Sequence, residues 1–488
     1  NLGLRYDHFG FFEEMNKRSG VGSFRLGQIV IPHASESLIL PVFQPFSSRY
    51  VTTDVAGLPG TFIHPNNLDF TPRIGFAYRV TNGFVFRGGF GIYAADVTHN
   101  EFTDQYNQPP FVRRAQLTRS LLISQNVDVN QVYTFQNPTA GGSGAGADTA
   151  LSNIGGFAED YPTQKAYTWN LTVEKELGRG MAVRASYLAN LTRNMSRSVR
   201  KNACVPGPTE CLSRAANDPT GRKYPFFSNT FGRHIADGRS NYHSGEIEFS
   251  KRFSGGLLFD VNYSHARLLG LQVESSNPVA DPQSSYDYGP ISAGPTDIFH
   301  WNYVYELPVG RGRRVGSGMN AVANAILGGW MLSGLGTWQS GSPLTITANS
   351  GQSPTGTATN RADRSKDGRL EHGGSRGENA FQWFDTTAYA LPGFVNATAT
   401  RPTRQFGTAG VGTVIGPSFF TYDMTLHKVF RIRERFNLQL RAEAYNPFNI
   451  PMLANPDTDL LSSNFGRIRT SNANYTPRNI QVGLRLDF

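Results

Sequence analysis

Apolar and polar residues alternate along much of this chain. In 435–446, Phe436, Leu438, Leu440, Ala442 and Ala444 share one side, and Arg435, Asn437, Gln439, Arg441 and Glu443 share the other. A period of two is that of a β-strand with one apolar and one polar face. The stretch before it repeats the pattern, with Phe420, Tyr422, Met424 and Leu426 set against Thr421, Asp423, Thr425 and His427. So does the last stretch, with Ile480, Val482, Leu484, Leu486 and Phe488 against Gln481, Gly483, Arg485 and Asp487. The same alternation predicts strands over 1–8, 73–80, 84–93, 166–177, 181–190, 242–253, 257–266, 297–306, 330–347, 419–430, 435–446 and 480–488, twelve in all.

The connections between these strands are of two kinds. Asn82-Gly83, Gly178-Arg179-Gly180 and Ser254-Gly255-Gly256 are short turn signals; an Asn-Gly pair between alternating stretches is a strong hairpin mark. Segments 9–71, 94–164, 191–241, 268–296 and 348–417 are long, polar and rich in Pro and Gly, with a short hairpin expected around 24–43. The connector 307–328 carries Arg311, Arg313 and Arg314 and a short helix over 321–327. Short and long connections take turns along the chain.

Two architectures alternate in this way. A soluble sandwich turns its apolar faces inward. A transmembrane barrel turns them toward lipid and its polar face toward a wet lumen. Long structureless loops are uncommon in compact soluble domains, whereas outer-membrane barrels have short periplasmic turns and long extracellular loops. At 488 residues the chain is also too long for one ordinary soluble core. The mean hydropathy of −0.36 would suit a soluble protein, but it equally suits a wall in which every second residue is polar. No run approaches the roughly 18 apolar residues of a spanning helix; the nearest, 321–336, holds Asn324, Ser333 and four glycines. The predicted class is all-β: a transmembrane antiparallel β-barrel of outer-membrane type, with long extracellular loops and short periplasmic turns. Asn170, Glu174, Glu246, Glu248, Asp423, His427, Asn437, Gln439, Arg441 and Glu443 are then expected to face the lumen.

The net charge of +9 reads as a scattered basic surface with a further use against lipid phosphates at the membrane rim. No basic run interleaved with aromatics points to nucleic acid. Cys204 and Cys211 are the two cysteines, close together in a polar segment. They are too few for a metal site and have no identifiable catalytic partner, which makes them a disulfide candidate for an oxidising compartment. His99, His243, His265, His300 and His427 are scattered, and none forms an HExxH pair. Asp423 and His427 share one strand face, as do Glu246 and Glu248, and both pairs suit a solvated lumen better than a catalytic dyad. No enzyme and no cofactor is expected. The opening NLGLRYD already reads as strand, without initiator Met or leader, so a mature or truncated piece is expected.

Several segments taken together resemble a known family. They are PRIGFAY (72–78), RGGFGIY (87–93), WNLTVEKEL (169–177), YELPVGRGR (305–313), GGWMLSG with SGSPLTI (328–346) and RAEAYNPFN (441–449). With NYHS and KRFSGGL (241–257), they run in order over nearly the whole chain. The chain resembles the barrel of TonB-dependent outer-membrane receptors, specifically the Oar-like group. The resemblance implies a Gram-negative outer-membrane location and ligand uptake through a plug-gated lumen. It also implies lipid and lipopolysaccharide around the wall, and TonB acting through an upstream plug. The family barrel has about 22 strands, so residues 1–488 are expected to be its C-terminal portion, without plug or carboxypeptidase-regulatory-like domain. Gln481, Gly483, Leu486 and Phe488 are spaced like the signal by which the barrel-assembly machinery recognises its substrates. Two alternatives stand beside transport: a surface barrel for adhesion or envelope organisation, and a passive porin.

Overall fold

The computed structural model describes residues 1–96, 105–106, 108–112, 155–200, 202, 224, 227, 232–271, 287–291, 294–348, 361–373, 376–392, 407–433 and 436–488. Twelve strands follow one another in a single sheet: β1 (Leu2–Asp7), β2 (Asp69–Thr81), β3 (Phe84–Ala95), β4 (Gln164–Gly178), β5 (Met181–Arg200), β6 (Gly232–Ser254), β7 (Leu257–Leu271), β8 (Asp297–Glu306), β9 (Trp330–Gln339), β10 (Phe419–Arg433), β11 (Phe436–Tyr445) and β12 (Asn479–Asp487). Each is antiparallel to the next in sequence, and Tyr288–Pro290 adds a short partner to β7. A meander of this kind needs no crossover connection, so its short turns collect at one end and its long connections at the other.

Register carries the apolar phase unbroken from strand to strand. Ile74 lies opposite Phe90, Phe86 opposite Val173, and Ala185 opposite Ile247. Tyr263 lies opposite Phe299, Trp301 opposite Gly336, Met424 opposite Ala444, and Leu440 opposite Leu484. A slip of one residue in any strand would turn its whole apolar set to the other face. This face is bare: Tyr78 is 64% exposed, Ile247 57% and Val482 71%. In a sandwich such side chains would form the core. A contiguous exposed apolar surface of this extent needs an apolar solvent or a partner to cover it.

Aromatic rings on that face lie across neighbouring strands. Trp301 packs against Phe420 and stacks on Tyr422, and Tyr303 and Tyr422 share a hydroxyl hydrogen bond of 2.6 Å. The route is open because β9 carries Gly334 and Gly336 here. A Cβ at Gly336 would sit 2.0 Å from the Trp301 ring, so no other residue fits without moving the indole.

Buried hydrophobic side chains instead gather in the long connections. One cluster joins Ile29, Ile31, Phe43, Phe111, Tyr224 and Phe227, and so links three connections far apart in sequence. A second joins Ile346, Phe384, Tyr389, Ala409 and Val414, with Phe465 packed against it.

The predicted strands all exist, but several boundaries differ. The segments 191–200 and 232–241, expected as loop, continue β5 and β6 as an antiparallel pair. Their polar composition hides a ladder held by Arg197, whose guanidinium makes two hydrogen bonds to Asp237 at 2.9 and 2.7 Å. The expected strand over 330–347 stops at Gln339; Pro343–Leu344 leaves the wall and pairs with Val414–Ile415. The hairpin expected around 24–43 is Val21–Ser23 with Gln28–Ile31, followed by 3-10 turns over Glu36–Leu38 and Pro41–Arg49. The helix of the 307–328 connector forms as predicted, as α1 (Ala321–Leu327).

Candidate functional site

The polar face of the sheet is built by the residues that alternate with the apolar set. Register places Asn170, Glu174, Glu246, Glu248, Asp423, His427, Asn437, Gln439, Arg441 and Glu443 on this one face. Many of its charged groups are paired. Arg87 of β3 reaches Glu174 of β4 at 2.5 Å. Arg184 of β5 lies 3.5 Å from the same carboxylate and 2.8 Å from Glu248 of β6. Four strands are thereby tied by a row of alternating sign. Asn262 of β7 donates to Glu246, and Thr172 and Ser186 share a hydroxyl hydrogen bond of 3.1 Å. Within single strands, Arg5 meets Asp7 at 2.7 Å, Arg441 meets Glu443 at 2.5 Å and Arg485 meets Asp487 at 2.8 Å. Residues i and i+2 share a strand face, so an Arg two positions before an acid pairs with it along the strand.

The long-loop end of this wall carries the two buried clusters, and polar contacts lock each one. Asn202 is fully buried; its amide donates to the carbonyls of Tyr224 at 2.9 Å and Phe227 at 2.7 Å and accepts from the Tyr224 N–H. The Tyr224 hydroxyl donates to the Phe24 carbonyl. Glu159 receives Ser23 and Arg25, both at 2.8 Å, which ties the first long connection to the second. Burial pushes the Tyr50 phenol up to about 12, in keeping with its place against the first cluster. In the second cluster, Lys366 lies 2.6 Å from Asp385, and Thr387 donates to the same carboxylate. Lys366 first and Thr387 second hold the Asp385 carboxyl down to about 2. Arg361 meets Asp287 at 3.1 Å and joins this region to the connection between β7 and β8. Burial raises the Asp287 carboxyl, with Arg361 and Arg197 opposing.

The residues singled out from the sequence fall in three places. The ten polar wall positions share a face. Gln481, Gly483 and Leu486 lie on β12 opposite Glu443, Arg441 and Leu438, and Phe488 is 91% exposed just beyond the strand. Cys204, Cys211 and His99 lie outside the described residues. Among the described residues no group of three or more His, Cys, Asp or Glu is placed to hold a metal ion. Sequence reasoning missed the loop clusters and the cross-strand charge row. It also passed over Lys428, which falls on the apolar phase opposite Trp330 and Leu440. A charge out of step with the alternation was the signal available.

A family model described as the outer membrane beta barrel domain matches residues 1–481. Among solved structures, the chain is similar to the outer membrane transporter YddB from Escherichia coli, at 10% identity and a TM-score of 0.44, over 88% of this chain and 41% of that one. It is similar to the ferripyoverdine receptor of the outer membrane of Pseudomonas aeruginosa, at 10% identity and a TM-score of 0.38, over 87% and 34%. It is also similar to BauA, the ferric preacinetobactin receptor from Acinetobacter baumannii, at 11% identity and a TM-score of 0.37, over 87% and 37%. The chain thus spans well under half the length of these structures. No curated protein matches the chain by sequence. With a family match over nearly its whole length, a bare apolar face and an all-antiparallel meander, the chain belongs to the outer membrane β-barrel domain family and to the Gram-negative outer membrane.

Proposed function

We propose that this chain is the C-terminal part of the barrel of a TonB-dependent receptor and that the whole protein takes up a ligand across the outer membrane. The observation that carries this reading is the two-faced wall. An apolar face suited to lipid backs a polar face whose charges are paired across four strands. A polar, charge-compensated face can line a watery passage, and the ten polar wall positions are its lining in this reading. The packed long connections at one end offer a surface for ligand capture, since binding residues concentrate on loops held by a rigid scaffold. Plug gating, the pull of TonB, membership of the Oar-like group and recognition by the assembly machinery rest on the sequence resemblance.

The test compares three strains: one with the intact gene, one lacking it, and one lacking TonB. Each grows on the same medium, and the compounds left in the spent medium are profiled. Transport predicts that at least one compound stays behind in both deletion strains and is consumed by the parent. A compound retained only when the gene is deleted, and independent of TonB, would indicate a passive porin. No retained compound, with loss of surface attachment, would indicate an adhesion barrel.

A further inference from the structure

The connector between β8 and β9 differs from the tight turns that share its end of the sheet. It runs over 307–329 and contains Arg311, Arg313 and Arg314 with no carboxylate. Its fold is defined. Asn320 caps α1 by accepting the Ala323 N–H at 2.8 Å, and Asn324 accepts the Arg311 N–H at 2.6 Å.

The helix is fixed to the apolar side of the wall. Trp330 and Lys428 lie opposite each other on the apolar phase of β9 and β10. The Trp330 indole N–H donates to the Ile326 carbonyl at 2.9 Å. The Lys428 ammonium donates to the Ala325 carbonyl and, at 3.2 Å, to that of Ile326. These are last-turn carbonyls of α1, where a cation is favoured by the helix dipole. Lys428 is only 4% exposed, and its ammonium sits 5.6 Å from the Trp330 ring centre and 4.8 Å from that of Phe430. A lysine facing hydrocarbon would be costly; here helix carbonyls and ring faces receive its charge. Two more lysines sit on the apolar phase near the same end. Lys175 lies 5.6 Å from the Phe84 ring centre, and Lys251 bends to the carbonyls of Ser254 and Leu257 at 2.6 and 2.9 Å. Lysines that turn their heads toward a strand end mark the depth at which a hydrocarbon band gives way to headgroups.

Pinned by its C-terminus, α1 leaves Val322 and Ile326 exposed at 70% and 61%. They are four residues apart and share a helix side, and Leu327 beside them is 51% exposed. Arg311 is partly engaged by the Met319 carbonyl and Arg313 by Glu306 at 3.1 Å. An exposed apolar helix side, on a helix pinned beside the apolar face of the wall and flanked by arginines, has the make-up of an interfacial segment.

We propose that the 307–329 connector is a membrane foot: α1 lies in the interface of the leaflet at the short-turn end, and its arginines favour anionic phospholipid headgroups. This rests on the apolar face being the lipid face. The test uses the full-length protein with Cys204 and Cys211 replaced by Ser, reconstituted in phosphatidylcholine vesicles with and without phosphatidylglycerol. An environment-sensitive fluorophore is placed at Val322→Cys and, separately, at Ile247→Cys on the wall. Heat-modifiable migration confirms folding of each.

The foot predicts blue-shifted emission at position 322. It also predicts quenching there by lipids spin-labelled near the headgroup, and protection from aqueous iodide. It further predicts stronger lipid quenching with phosphatidylglycerol, a gain lost in the triple variant R311Q/R313Q/R314Q. Lipid quenching at 247 together with iodide quenching at 322 would overturn the foot alone and leave the helix open to a soluble partner. Absence of lipid quenching at both positions would overturn the face assignment beneath it. A phosphatidylglycerol gain that survives the triple variant would overturn the role of the arginines.

Discussion

At the scale of single residues, the polar face repeats one device. Arg5-Tyr6-Asp7, Arg441-Ala442-Glu443 and Arg485-Leu486-Asp487 each set an Arg two positions before an acid, and all three pairs close. That much was legible, because i and i+2 share a face in any strand. The row through Arg87, Glu174, Arg184 and Glu248 was not, because it depends on the register of four strands. Asp385 allows a test of a single loop contact. Its carboxyl is held down to about 2, below the ordinary 3.8, chiefly by Lys366. A depressed carboxylate contributes stability that is fully present above its unfolded value and is lost as the pH falls through the folded one. Local structure around Asp385 should therefore persist to about pH 4 and loosen toward pH 2. The emission of Trp383, two residues away, should report this as the difference between the parent protein and D385N. A transition at the same pH in D385N would remove Asp385 as its cause.

At the scale of elements, alternation located every wall strand because each must keep one face in a uniform solvent. It failed where that constraint ends. Beyond Leu191 and before Tyr242, β5 and β6 are mostly polar, with Met195, Val199 and Ile235 scattered among Arg, Ser, Asn and Gly and the register shifting around Met195, so no steady apolar alternation is there to read. Depth along a strand is now readable as well. Leu440 lies level with Lys428, near the short-turn end, whereas Ile247 lies four residues from Lys251, further into the apolar band. Ile247→Arg should destabilise the barrel by ~2–4 kcal/mol and Leu440→Arg by only ~0–1 kcal/mol, as lipid-facing arginines do at the midplane and near the interface. Gln439→Arg on the opposite face should be mild. Urea titration of the folded protein in vesicles would measure all three, and equal costs at 247 and 439 would contradict the assignment of faces.

Phe488 offers a different test of β12. As part of an assembly signal, its deletion should sharply lower the membrane-inserted fraction in cells and leave refolding of the full-length protein in detergent nearly unchanged. As a mere interfacial aromatic, it should leave insertion in cells normal.

At the scale of the whole molecule, the order of strands and the two kinds of connection could be read from the chain. The packing of the long connections could not. Asn202 meets Tyr224 and Phe227, and Phe43 and Phe111 join one buried cluster, through contacts that no local period encodes. Which end faces outward can be settled by labelling. In a background lacking Cys204 and Cys211, a cysteine at exposed Val55 or Phe381 in the long connections should react with an impermeant maleimide on intact cells. A cysteine at Arg179, in the Gly178–Gly180 turn, should react only after the outer membrane is opened. The reverse pattern would invert the topology.

The pairing of charges on the polar face has an electrical consequence. Each guanidinium of the Arg87–Glu174–Arg184–Glu248 row, and of the three pairs along single strands, has a carboxylate within reach. Such a surface sets up little Donnan potential, because neither counter-ion is enriched beside it. If an aqueous path ran along this wall alone, a salt gradient across it would give a reversal potential near zero, and any preference for the sign of a solute would have to come from elsewhere in the protein.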